Sequence, residues 1–328
     1  MSWKDINQWS LADALQVEHA ALRELDEVES LIDWSSIERV LSGIHNKSRG
    51  EEAWPPLLMF KALLLQSWYN LSDPQLEKQL ARDLLFRRFV GLSLSESVPD
   101  HSTLWRFRNN PVVVALQDQL FSEINDQLIT QGLLLKQGEI SIVDASVIQA
   151  QRNRPKRNAA GKSTQDPEAG HNTKVGSDGT LKRTYGYKAH INVDEDGFIK
   201  ATELTPGNVH DSRCFTELLS GNESVVFADS AYASRVTDQW LKRRGIGNGV
   251  LERAYRNTPL TRSQKASNKK KSYYRCGVER VFGILKCHYG LGKARHLGKA
   301  RNKMRLVLCS LAYNIKRGAT LQREMACL

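Results

Sequence analysis

Three carboxylates sit where the neighbouring sequence gives them little company. Asp144 interrupts the apolar run ISIVDASV, Asp229 closes VVFADS, and Glu279 lies in YYRCGVERVFGILK, residues 273–286. An acid inside an apolar strand is costly unless it is paired or bound to a metal. Glu279 is odd for another reason. From Arg253 to Arg323 the chain holds 19 Lys and Arg residues and this single carboxylate. A helical salt bridge to Arg275, with Arg first, is the weaker orientation and is worth roughly a few tenths of a kcal/mol at most. Carboxylate oxygens suit Mg²⁺ or Mn²⁺. Two such ions about 4 Å apart can activate a water or a 3′-hydroxyl and stabilise the leaving oxygen in phosphodiester exchange. The surrounding cations would hold DNA phosphates.

These acids need elements to position them. EISIVDASVIQA reads as a buried strand, YGYKAHINVD and FIKATELTP as two more joined by a hairpin turn at Glu195–Gly197, and SVVFADSAY as a fourth. GNGVLER is a fifth candidate. Helices are expected at 211–220, 233–244, 273–286 and about 303–316. Both aspartates are expected near the C-terminal ends of their strands, where open α/β sheets place ligands. The expected fold class is α/β, a mixed sheet flanked by helices. On the helix, Arg275, Glu279, Phe282 and Lys286 fall on one stripe, with Val278, Val281 and Leu285 on the packing side. Two polar, basic stretches, 151–184 and 253–272, read as loops, the first as a long mobile one.

The first half reads helical, over 11–32, 55–70, the SDPQLEKQLARD segment and VPDHSTLWRFRNNP. Asp73 is expected as an N-cap with Pro74 following, and Asp100 as a second cap. A helix-turn-helix-like unit presenting Arg106 and Arg108 to DNA and a plain helical bundle with solvated arginines both stay open. The expected domains are 1–135, all-helical, and 136–328, α/β.

A net charge of +11 points to a polyanionic partner. No apolar run reaches the ~18 residues of a spanning helix, and MSWKDINQWS lacks a signal-peptide layout. The expectation is a cytoplasmic protein with no membrane partner. Five scattered cysteines without a CxxC pair read as reduced thiols.

The three acids, 85 and 50 residues apart, resemble the acids of the DDE transposases of bacterial insertion sequences, specifically the insertion-sequence-five group. VDAS matches the first motif, DSAY with Tyr232 the Asp-x-x-Tyr motif, and Arg275, Glu279 and Lys286 the signature of the third. The similarity runs from about Gly50 to about Arg317. One departure is Ser272, where the full signature has a tyrosine. The resemblance implies an RNase H-like catalytic domain, preceded by an all-helical domain that binds the element's terminal inverted repeats. It implies cleavage dependent on two Mg²⁺ ions, Mn²⁺ substituting, and attack of the freed 3′-hydroxyl on target DNA. Asp144, Asp229 and Glu279 would be catalytic residues and metal ligands. Arg275 and Lys286 would contact phosphate, and Arg280 and Tyr232, the latter near the active site, would join them as DNA-binding residues, in a homodimer or larger assembly acting at the nucleoid. A nuclease without strand transfer and an inactive DNA-binding regulator stay open as alternatives. A histidine-based site at His190 or His210–Asp211 is a smaller one. Trp240, Phe282 and Tyr289 read as core, and Trp105 is left open.

Overall fold

The apolar runs on either side of the two aspartates become adjacent parallel strands. A computed structural model describes residues 3–4, 19–44, 52–134, 140–152, 156, 158–159, 161, 163–175, 179–254 and 258–327. They divide into two units, Leu134–Leu306 and Met1–Leu133 with Val307–Leu328. In the first of these, β1 (Ile140–Gln149), β2 (Gly170–Val175), β3 (Leu181–Val193), β4 (Ile199–Pro206), β5 (Val225–Ala228) and β6 (Gly247–Val250) form one sheet. The order is β2-β3-β1-β5-β6, with β4 also on β3. β1, β5 and β6 are parallel, and β3 runs antiparallel to β1, β2 and β4. With β2 set aside, the order is that of an RNase H-like sheet. The central parallel strands, β5 and β1 up to Asp144, are near-continuous apolar runs because both faces are covered, whereas β6 (GNGV) is not. On one face Val143, Val226 and Ala228 pack with Phe215, Tyr232 and Leu241.

The hairpin turn between β3 and β4 falls where the sequence places it. Asp194 N–H donates to Phe198 O, Asp194 Oδ1 accepts from Phe198 N–H, and Gly197 takes φ +86°. Helices at 211–220 reduce to two 3₁₀ turns, Asp211–Cys214 and Thr216–Leu218.

The loop expectation for 151–184 fails at 170–175 and 181–184, which are strand. Asp166 is buried and anchored: its backbone carbonyl accepts from Tyr185 Oη, and its carboxylate accepts from Tyr187 Oη and Gly298 N–H. Gly186 is needed at this crossing, since a Cβ there would lie 2.0 Å from Ile148 O. The stretch reads as loop because both faces of the hairpin are polar, so no alternation marks it.

The loop expectation for 253–272 fails from residue 262 onward. The helix that bears Glu279 is Arg262–Cys287, opened by a capping box in which Thr261 and Gln264 exchange bonds. Lys271 Nζ donates to Val250 O, and Asn268 bonds the Glu252 backbone, so the basic turns are docked rather than free. The last helix is longer than expected, Lys299–Ala326.

The other unit is helical where it is described. It contains Asp26–Leu31, Trp34–Leu41, Pro56–Trp68, Asp73–Arg82, Leu84–Val90, His101–Arg108 and Pro111–Thr130. Residues 11–18 of the expected first helix lie outside the described set. Residues 307–328 group with this unit and not with 136–306. Leu308, Leu311, Ala312 and Ile315 are buried, Trp68 Nε1 donates to Ala312 O, and Asn314 bonds Asn125.

The expected caps split. Asp100 caps His101–Arg108 through Thr103 N–H, and the Ser102 hydroxyl bond leads in holding its carboxyl down at about 2. Asp73 is not a cap. Ser72 is, with Gln75 completing a capping box, and Asp73 becomes the first helical residue. Its carboxylate is thereby free to take Arg108, whose Nη1 and Nη2 donate at 2.8 and 2.7 Å while Nη1 also reaches Gln66 at 2.9 Å. Arg108 is only 4% exposed, so it braces the bundle and does not present itself to DNA.

Candidate active site

Register places the two aspartates side by side. The parallel β1–β5 ladder ends at Val143↔Ala228, so Asp144 and Asp229 are the next residue on each strand. Asp144 is mid-strand and not at a strand end as expected, because β1 continues to Gln149 against β3. Asp229 does end its strand. It caps the 3₁₀ turn Ser230–Tyr232, accepting from Ser230 N–H at 2.6 Å.

The helix Arg262–Cys287 covers this face. Val278, Val281, Phe282 and Leu285 are buried, as the helical stripe required. Tyr274 stacks on Phe227 at 4.5 Å, and Gly249 leaves room for that ring. From this helix Arg275 reaches both aspartates. Its Nη2 lies 3.5 Å from Asp144 Oδ2, and its Nη1 lies 3.7 Å from Asp229 Oδ1. Its side chain is 12% exposed.

Burial pushes the Asp144 carboxyl above its usual range, and the charges of Asp229 and Glu279 add to that, against the Ala145 N–H bond and Arg275. Glu279 is therefore within electrostatic reach of Asp144. It is exposed, and among the described residues it has no hydrogen-bond or ion-pair partner. Arg275 pairs with the strand aspartates and not with Glu279. Among the described residues, no three His, Cys, Asp or Glu side chains stand close enough to hold one ion. The structure thus brings two of the three acids onto a common cation and leaves the third nearby. All three donors are oxygens, and the two aspartates already hold a positive group between them. That donor set fits a hard divalent ion.

The remaining predicted residues scatter. Lys286 is half-buried, with its ammonium pulled below the usual lysine range by burial and then by the charge of Lys174. Arg280 is exposed. Arg106 is exposed and folds back on its own helix, onto Ser102 and Thr103. Tyr232 is wholly buried against Phe215. It is not a DNA contact, because the turn that follows Asp229 carries its ring into the core. Trp240, Phe282 and Tyr289 are packed as expected, while Trp105 is 43% exposed.

The histidines form no site. His210 caps the turn at Asp211, whose carboxylate goes to Lys188 at 2.8 Å. His190 is wholly buried on β3, bonded to Thr205 Oγ1 at 2.8 Å. Burial holds it down at about 4, with Lys188 acting the same way and Asp211 and Glu203 opposing. A histidine depressed below its unfolded value of roughly 6.5 favours the unfolded chain in acid. Stability is expected to fall as pH drops from about 6.5 to 4. Denaturant midpoints across that range should show a shallower loss in His190→Gln.

Sequence comparison settles the family. Residues 135–315 match the model "Transposase DDE domain", more than half the chain, and residues 10–110 match "Transposase domain (DUF772)". The chain belongs to the DDE transposase family. This transposase is also similar to two solved structures. They are a pre-cleavage Mos1 transpososome (11% identity, 94% of this chain and 90% of that one, TM-score 0.20) and the Mos1 mariner paired end complex with Mn (14%, 88% and 92%, TM-score 0.20). The transposase is an enzyme acting on DNA, in a family that uses divalent metal. None of its described helices is long and apolar enough to cross a membrane.

Proposed function

We propose that this transposase cleaves DNA at the terminal repeats of a bacterial insertion sequence and joins the freed 3′-hydroxyl to target DNA. The observation that carries the reading is the adjacent placement of Asp144 and Asp229 under the helix that bears Glu279. Asp144, Asp229 and Glu279 would hold two Mg²⁺ ions, with Mn²⁺ substituting. When bound, these supply a polarised phosphate and an activated hydroxyl. Asp144 is fixed by the Ala145 N–H, Asp229 by the Ser230 N–H, so both acids are pre-oriented by their own backbone. Arg275, Arg280 and Lys286 supply positive charge along the same helix for the phosphates. The helical unit, with Arg106 exposed, is assigned to end binding, and the acting form to a homodimer or larger assembly in the cytoplasm. Incubating pre-nicked ends with a target plasmid tests the reading: joined product supports a transposase, and hydrolysis alone supports a nuclease.

The β2–β3 hairpin extends this basic surface. Lys174 lies directly opposite Lys182, and Thr173 opposite Arg183, all exposed. Like charges facing across a ladder are unfavourable without a counter-charge, and none of these cations has a protein partner among the described residues. Changing Lys174, Lys182 and Arg183 together to Ala is expected to flatten the slope of log K against log salt by roughly 2 to 3. Filter binding at graded salt checks this, and an unchanged slope removes the hairpin from the DNA interface.

A further inference from the structure

Arg108 and Arg275 both meet carboxylates away from bulk water, in different ways. Arg108 grips Asp73 with two bonds at 2.7 and 2.8 Å and adds a third to Gln66. That is an arginine built to stay. Arg275 is held more loosely. Its two contacts are 3.5 and 3.7 Å long, and each goes to a different carboxylate. Its Nε is buried and has no hydrogen-bond partner among the described residues. The guanidinium is therefore held chiefly by charge, and it carries an unmet donor that a phosphate would satisfy.

It also lies where the aspartates would meet a divalent ion. A guanidinium and a metal ion both compete for Asp144 Oδ2 and Asp229 Oδ1, and neither tolerates the other's charge close by. Glu279 follows one helical turn after Arg275 and has no partner among the described residues. The third acid is thus in reserve while the arginine bridges the other two.

Resting on the transposase reading, we propose that Arg275 is a DNA-operated gate on the metal site. In the DNA-free protein its guanidinium closes the Asp144–Asp229 pair against divalent ions. A DNA phosphate draws it away, and the two aspartates with Glu279 are then open to the metal. Metal loading and DNA binding are therefore coupled, and the coupling is reciprocal. The device would keep the hydrolytic centre unloaded until DNA is in place.

The test is Mn²⁺ binding to the full chain, read from the loss of the free-ion paramagnetic resonance signal. It is run with and without a short random-sequence duplex, whose backbone Arg275 meets whatever the sequence. Wild type is expected to bind Mn²⁺ weakly alone and about tenfold or more tighter with duplex. Arg275→Ala is expected to bind Mn²⁺ about tenfold tighter than wild type without DNA, and to gain little on adding duplex. Arg275→Lys, which keeps the charge but loses the fork, should fall between them. A thermal melt confirms that each variant is folded, and Mn²⁺ should raise the duplex affinity of wild type but not of Arg275→Ala. Equal Mn²⁺ affinity of wild type and Arg275→Ala without DNA overturns the gate and leaves the metal site standing. Absence of Mn²⁺ binding by both proteins, with and without duplex, overturns the metal site and the gate together.

Discussion

Asp144→Asn, and separately Glu279→Gln, should lower nicking of end-containing plasmid on the order of a thousandfold, the scale of removing a main electrostatic element from a reacting centre. Each swap keeps the shape and removes the charge. The backbone bond to Asp144 survives in Asn, because Ala145 N–H can still donate to the side-chain oxygen. Glu279 is exposed and makes no bond that the fold needs among the described residues. Both variants should therefore melt close to wild type, which separates lost chemistry from lost structure. Nicking is read as conversion of supercoiled plasmid to open circle in Mg²⁺. Wild-type-like nicking by Glu279→Gln would remove the third acid from the site.

Arg108→Ala should destabilise the helical unit by about 3–5 kcal/mol, because it leaves the Asp73 carboxylate without its bidentate partner. Asp73 is about a fifth exposed, so water recovers part of its solvation and the lower end of that range is expected. Urea unfolding followed by circular dichroism measures it. Arg106→Ala, three bonds poorer in tertiary contacts because all its bonds are to its own helix, should change stability by less than about 0.5 kcal/mol. Equal effects of the two substitutions would contradict the assignment of one arginine to the frame and the other to the surface.

That pair shows where sequence reasoning runs out. Arg106 and Arg108 sit two residues apart in one basic helix, and nothing local distinguishes them. What buries Arg108 is a carboxylate 35 positions away, freed because Ser72 and not Asp73 takes the cap. The strands around the aspartates were legible because parallel strands buried on both faces are apolar runs, and an acid within such a run stands out. The β2–β3 hairpin was not, since its exposed strands carry no alternation. The start of the catalytic helix had a signal that composition masked: Thr261-Arg-Ser-Gln264 is a capping box in a stretch dominated by lysines. Tyr232 matches a family motif at the site, yet its ring is spent in the core. A motif fixes which residues recur, and the turn after Asp229 fixes which way they face.

The three acids themselves came from their types and spacing, and the structure adds a fact about their company. Arg275, expected to touch phosphate, is found on the aspartates. The lone glutamate of the basic third is paired with no cation among the described residues.

The central claim is that these carboxylates hold the metal that acts on DNA, and the most direct measurement is nicking by Asp229→Cys in Mg²⁺ and in Mn²⁺. Asp229 suits the swap because its side chain is 45% exposed. A thiolate is a poor ligand for Mg²⁺ and a better one for the softer ion. The variant is expected to be inactive in Mg²⁺ and to regain nicking in Mn²⁺. Undiminished nicking in Mg²⁺ would contradict a metal held by Asp229.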